Sequence, residues 1–331
     1  MTLDLPVVFA ALMGLAILAY VVLDGYDLGV GMLMPAATAD EQDVMVASIG
    51  PFWDANETWL VLGIGLLLVA FPLAHGVVLG ALYLPVTAML IGLMLRGVAF
   101  ELRAKAEGWH AELWNWLFWF GSFLASLAQG FMLGRYVTGF QPGFGYLLFA
   151  LVTGAALCGG YVLLGATWLI GRTEGRLQKE AIDWARWGLL WVALGVALVS
   201  LATPFVSETV RGRWFDFPRT LALMLLPAAS AVAWLWIWRS TGRLKRGERA
   251  AEWAPFGGAV AIFALAFAGL AYSMFPYVVI DRITIWQAAA HPSALWVMLI
   301  GVAIVLPFLA GYTVFAYRVF RGKARAGLYG H

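Results

Sequence analysis

Apolar runs of about 18 residues or more recur along the whole chain, and each is long enough to cross roughly 30 Å of hydrocarbon. Backbone in hydrocarbon has to satisfy its own N–H and C=O groups, so such runs fold as helices. Nine spans are expected, near Pro6–Leu23, Trp59–Val77, Val78–Leu95, Trp114–Val137, Tyr146–Ile170, Gly188–Pro204, Thr220–Trp238, Phe256–Phe275 and Ala294–Ala316. The second and third are separated only by FPLAHG, which leaves one kinked segment as the alternative there. A mean hydropathy of +0.84 with 12% charged residues excludes an ordinary soluble domain. The net charge of +2 gives no footing for nucleic acid. The single cysteine, Cys158, lies inside an apolar run, so neither an intrachain disulfide nor a thiolate metal cluster is expected. No cleavable signal peptide is expected either, since no basic residue precedes the run Leu5–Leu23.

Basic residues set the orientation. Arg96, Arg103 and Lys105 follow span three; Arg172, Arg176, Lys179 and Arg186 follow span five. Arg239, Arg243, Lys245, Arg246 and Arg249 follow span seven, and Arg318, Arg321, Lys323 and Arg325 follow span nine. With nine crossings all four clusters fall on one side. The positive-inside rule then puts the N-terminus outside and the C-terminus in the cytoplasm. Arg211, Arg213 and Arg219 dissent, with Glu208 and Asp216 among them. The tryptophans Trp109, Trp114, Trp116, Trp119, Trp184, Trp187, Trp234, Trp236, Trp238, Trp253 and Trp286 crowd near span ends as an interfacial belt. The stretch Arg239–Arg249 reads as a solvated loop meeting anionic headgroups.

Against this background four carboxylates stand out. Asp24 and Asp27 lie in DGYDLGVG at the end of the first span, and Asp54 and Glu57 in WDANETW at the start of the second. An ionisable group at membrane depth costs at least ~2.5 kcal/mol, so it is rare there unless paired or functional. Asp24 and Asp27 share one helical face if the first helix continues through them; if it ends at Leu23, both sit in a wet loop. Asp54 reads as the N-cap of the second helix with Glu57 closing a capping box, or as the mouth of a proton path, and both readings can hold together. Arg96 and Arg103 either neutralise these acids, hold a headgroup, or simply mark a basic helix end. Thr38 with Glu41 resembles a capping box, opening a short helix in the interface.

The histidines point away from iron. His75, His110, His291 and His331 all fall outside mid-span positions, so a transmembrane haem held by histidine within this chain is not expected. No phosphate loop, zinc-ligand spacing or nucleophile–base pair appears. Gly63 and Gly65, and Gly154 to Gly160, read as helix-packing glycines.

Three motifs, LDGYDLGVGML (Leu23–Leu33), IGPFWDANETWLV (Ile49–Val61) and LRGVAFELRAK (Leu95–Lys105), resemble subunit II of the cytochrome bd family of quinol oxidases, in order and in register. The resemblance is close over the first third and continues in length and span number. It implies an all-α polytopic membrane protein of the bacterial inner membrane. Two four-helix bundles, approximately 1–137 and 146–275, would be followed by a peripheral ninth helix near 294–317. It implies a non-haem subunit of an enzyme that oxidises quinol and reduces oxygen to water. Haems b558, b595 and d would then be held by a haem-bearing subunit I, with small single-helix accessory subunits and a structural quinone in some members. It places Asp54 on a cytoplasmic proton route, matches Asp24 and Asp27 to the family's acids, and matches Arg96 to its arginine. Glu57 stands where other members can carry glutamine, which adds weight to a capping role for it.

Two other classes compete. A proton-coupled secondary carrier would use the same acids as coupling sites and a broken helix at the glycines. A structural scaffold would use every acid as a cap.

Overall fold

The computed structural model of the chain describes residues 4–103, 105–217 and 219–325; His331 lies outside them. Helix α1 (Leu5–Leu33) opens on Asp4, whose carboxylate accepts the Val7 N–H, with Pro6 in its first turn. A 3-10 turn at Met34–Ala36 leads to α2 (Ala39–Ile49), followed by α3 (Trp53–Ala70), α4 (Pro72–Arg103), α5 (Trp109–Val137), α6 (Phe144–Arg172) and α7 (Gly175–Val206). Then come two short helices, α8 (Glu208–Trp214) and α9 (Arg219–Leu223), and the longer α10 (Leu225–Lys245) and α11 (Ala254–Met274). A small hairpin of β1 (Tyr277–Val279) and β2 (Ile283–Thr284), absent from the sequence expectation, precedes α12 (Ile285–Ala288) and α13 (Pro292–Val319).

Among the described residues eight helices are long and apolar enough to cross a membrane. The expected seventh span, Thr220–Trp238, is the exception. The chain breaks there into α9 and the 21-residue α10, in which three tryptophans and Arg239 dilute the apolarity. At ~1.5 Å per residue α10 is still about 32 Å long. The α3–α4 boundary also differs from expectation, since the break falls at Phe71 rather than at Val77. Phe71 precedes Pro72, and a residue before proline is pushed out of the helical region; its φ of −132° and ψ of 59° end α3 outright. The segment is therefore two helices, not one kinked one.

Polar contacts sort the helix ends. Lys323 after α13 pairs with Glu252 at 2.6 Å, and Gln178 on α7 reaches the same carboxylate at 2.9 Å. Lys245 closing α10 pairs with Asp183 on α7 at 2.5 Å, and Arg103 closing α4 pairs with Asp43 on α2 at 2.8 Å. Arg176 lies 3.6 Å from Glu41, which ties α2 into the same end. All four basic clusters thus gather at one end of the bundle. At the opposite end the Trp286 indole donates to Asp4 at 3.0 Å and the Ala290 N–H donates to the Ala70 carbonyl at 2.8 Å. The Tyr136 hydroxyl donates to the Val278 carbonyl there, and the dissenting Arg213 is held by the carbonyls of Ser273 and Phe275.

Burial is graded across the bundle. Just over half of the apolar window of α6 is buried (56%), against 6% for α13, so this chain encloses α6 most and α13 least. Helix α1 packs on α3, α5 and α6. Its approach to α6 is close: a Cβ at Gly29 would lie 1.8 Å from the Tyr161 carbonyl oxygen, and one at Gly165 would lie 2.4 Å from the Gly29 backbone. Gly63, Gly154, Gly159 and Gly160 pack as expected, but Gly65 faces open space, so it is not a packing glycine.

Candidate functional site

Because α1 continues to Leu33, Asp24 and Asp27 are helical and fully buried; the wet-loop alternative is set aside. Asp24 lies ~28 Å along the helix from its start, near the basic end. The sequence permits this because Gly25, Gly29 and Gly31 let α5 and α6 close over that turn: Cβ atoms there would meet Tyr161, its carbonyl and Ser122 at 2.7, 1.8 and 2.2 Å.

Arg96, two turns before the end of α4, reaches into this region. It is 1% exposed, and its Nη2 lies 2.7 Å from Asp24 Oδ1 and 2.5 Å from Glu57 Oε1. The Trp53 ring covers the guanidinium at 5.8 Å. One arginine therefore joins α1, α3 and α4. Its contact with Asp24 is a close ion pair rather than an aligned hydrogen bond, and both Asp24 oxygens, Asp27 Oδ1 and Arg96 Nε and Nη1 have no hydrogen-bond partner among the described residues. Buried polar atoms of this kind normally hold ordered water.

Asp27 is held differently. Asn56 Nδ2 donates to Asp27 Oδ2 at 2.8 Å and also faces the Tyr26 hydroxyl at 3.0 Å and the Leu23 carbonyl at 3.2 Å. The Tyr317 hydroxyl on α13 donates to Asn56 Oδ1 at 3.2 Å and lies 2.6 Å from the Tyr26 hydroxyl. A second buried chain runs the other way, from the Tyr161 hydroxyl to Gln129 Oε1 (2.6 Å) and from Gln129 Nε2 to the Tyr20 hydroxyl (2.8 Å), one turn before Asp24.

Several expectations are corrected here. Phe52, not Asp54, is the N-cap of α3, and no side chain caps that helix; Asp54 is exposed in its first turn. Glu57 therefore closes no capping box. It lies on the second turn, 28% exposed, bound to Arg96. Arg103 does not join the acids; it bonds Asn115 at 2.7 Å and Asp43 at 2.8 Å. The Thr38–Glu41 capping box does form, with Glu41 Oε2 accepting the Thr38 N–H at 3.0 Å, which holds the Glu41 carboxyl below its ordinary range. Asn56, Tyr26, Tyr317, Gln129 and Tyr161 join the site without belonging to the expected set of acids and arginines. Gln129 carried a legible signal, an amide inside an apolar run, whereas Tyr317 lies 261 residues from Asn56 and carried none.

The three described histidines lie near helix starts. His75 sits at the start of α4, His110 is exposed against Trp109 (ring centroids 3.7 Å apart), and His291 caps α13. Among the described residues no group of three or more His, Cys, Asp or Glu is placed to hold a metal ion.

An apolar bundle that buries carboxylates around a single arginine is a polytopic membrane protein with an ionisable site near one face. More particularly, the chain belongs to the cytochrome bd terminal oxidase subunit II family, whose profile matches residues 5–320. It is a multi-pass protein of the bacterial inner membrane. A cytochrome bd ubiquinol oxidase subunit 2 from Bacillus subtilis (strain 168) is 29% identical over 323 residues, covering 91% of each chain. The cytochrome bd-I ubiquinol oxidase subunit 2 of Escherichia coli (strain K12) is 28% identical over 354 residues, covering 92% of this chain and 91% of that one. Among solved structures, a chain of the bd oxidase from Geobacillus thermodenitrificans matches with a TM-score of 0.77 at 16% identity, covering 96% of this chain and 99% of that one, a likeness of fold.

Proposed function

We propose that the chain is the non-haem subunit of a quinol-oxidising, oxygen-reducing terminal oxidase. It pairs with a haem-bearing subunit I and carries protons inward from the cytoplasm. In this reading nine helices cross the membrane, with α10 as the seventh. The basic end faces the cytoplasm by the positive-inside rule. The helices group as α1, α3, α4 and α5, then α6, α7, α10 and α11, with α13 peripheral.

The observation that carries the proton role is the burial gradient of the acids around Arg96. Asp54 is exposed, Glu57 is 28% exposed, and Asp24 is fully buried. Asp54 and Glu57 lie three residues apart on α3, hence on one face. A proton captured at Asp54 passes to Glu57 and then to Asp24, the two carboxylates that share the Arg96 guanidinium. The Arg96 charge keeps both acids in place at a depth where lone carboxylates are costly. Asp24 Oδ2 and Asp27 Oδ1, which meet no donor among the described residues, offer acceptors for bridging water, the usual carrier between carboxylates. Haem iron in the partner subunit supplies the oxygen chemistry; this chain's residues bind, hold and release protons.

The test is Asp24→Asn and Asp54→Asn in the assembled complex, with oxygen consumption and haem spectra measured separately. Turnover should fall at least tenfold for Asp24→Asn while the spectra stay normal. Normal turnover with normal haem content in both variants would defeat the proton role. Purification without a pigmented companion subunit would defeat the subunit reading itself.

A further inference from the structure

Away from the acids, the basic end carries a cavity of about 640 Å³ between α7 and the last turns of α10. Five of its lining residues are cations: Arg186, Arg239, Arg243, Lys245 and Arg246. Nearby carboxylates answer only part of that charge. Asp183 accepts Lys245 at 2.5 Å, and Glu248 is shared by Arg246 at 2.6 Å and Arg243 at 3.2 Å. Five cations against two carboxylates leave a surplus of three.

The remaining two linings shape the cavity. The Arg186 guanidinium lies 3.7 Å over the Trp238 ring and is 3.4 Å from the Trp238 carbonyl, so stacking holds its charge toward the cavity with no acid partner among the described residues. A Cβ at Gly242 would come within 3.4 Å of Arg186 Nη1, so the glycine keeps the floor clear. Arg239 is exposed and forms no ion pair among the described residues.

The surroundings identify the source of the anion. Trp187, next to Arg186, is 74% exposed and Trp236, three residues before Arg239, is 58% exposed, which is where indoles sit in a headgroup layer. Beyond them the exposed apolar side chains Leu190, Leu194, Val232 and Leu235 continue along α7 and α10, a surface suited to acyl chains and not to a small ion. We infer that this cavity binds the phosphate-bearing headgroup of an anionic phospholipid of the cytoplasmic leaflet, with its chains lying along α7 and α10. A headgroup with two phosphates answers more of the surplus than one with a single phosphate.

The experiment uses the assembled oxidase, delipidated in mild detergent, with bound lipid read by native mass spectrometry. It is titrated with diphosphatidylglycerol, phosphatidylglycerol and phosphatidylcholine, and separately challenged with inorganic phosphate. Both anionic lipids should bind, the two-phosphate lipid more tightly, and phosphatidylcholine should not. Arg239→Gln, at an exposed position, should weaken binding about fivefold, and adding Arg186→Gln about fivefold more. Lys179→Gln, an exposed cation outside the cavity, should change nothing. Unchanged affinity in Arg239→Gln, or equal binding of phosphatidylcholine, overturns the proposal. Displacement of the lipid by equimolar inorganic phosphate overturns the lipid as the source.

Discussion

Arg96 on α4 lies 2.7 Å from Asp24 on α1, and neither side chain is more than 1% exposed. Removing one partner of a buried pair leaves an uncompensated charge, at a cost of about 3–5 kcal/mol. Arg96→Met should therefore lower the thermal midpoint and the yield of assembled complex sharply. Asp24→Asn should be milder, because an amide still meets the guanidinium. Equal stability of Arg96→Met and wild type, by thermal unfolding in detergent, would remove the pair from the account.

Glu57 shares the same guanidinium at 2.5 Å. Glutamine retains an oxygen for Arg96 but holds no exchangeable carboxyl proton. Glu57→Gln should thus assemble normally and lose turnover several-fold, less than Asp24→Asn. Oxygen consumption normalised to haem content checks the order of the two variants.

Asn56 donates toward Asp27, Tyr26 and the Leu23 carbonyl, whereas Tyr317 reaches the cluster by its hydroxyl alone. Asn56→Ala leaves a buried carboxylate without its donor, a loss of about 1–3 kcal/mol, while Tyr317→Phe deletes bonds worth about 1 kcal/mol. Thermal midpoints should rank in that order.

At the α1–α6 crossing, Gly29→Ala forces a methyl against the Tyr161 carbonyl at 1.8 Å, so helix separation and loss of assembly are expected. Gly65→Ala meets nothing within 4 Å and should stabilise α3 by up to about 1 kcal/mol. Yields of the two variants measured side by side give the comparison.

Glu41 caps α2 outside the membrane-spanning helices. The Thr38 N–H holds its carboxyl below the ordinary range, so folding favours the ionised form. That contribution is complete above the unfolded carboxylate range and is lost as pH falls through the lower folded value. Amide exchange in the first turn of α2 should speed up below about pH 4 relative to neutral, after correction for intrinsic rates. Glu41→Gln should remove that pH dependence.

The family and the acid motifs were legible because both are local. DGYDLGVG and WDANETW each place their carboxylates within a few residues, and apolar length alone predicts spans. Helix ends were less legible. The break at Phe71 followed from Pro72, yet hydropathy blurred it, and Asp54 looked like a cap because capping residues and functional acids are the same residue types.

Sequence by itself determined that the chain is a bundle of membrane-length helices with its basic loops gathered at one end, since both follow from composition taken one segment at a time. Tertiary structure alone decided which acid meets which base. Glu57 lies 39 residues from Arg96, and Tyr317 comes to Asn56 from the last helix. Such pairings depend on how helices cross, and the crossing is set by glycines such as Gly29 and Gly165, whose missing side chains matter only once another backbone lies against them.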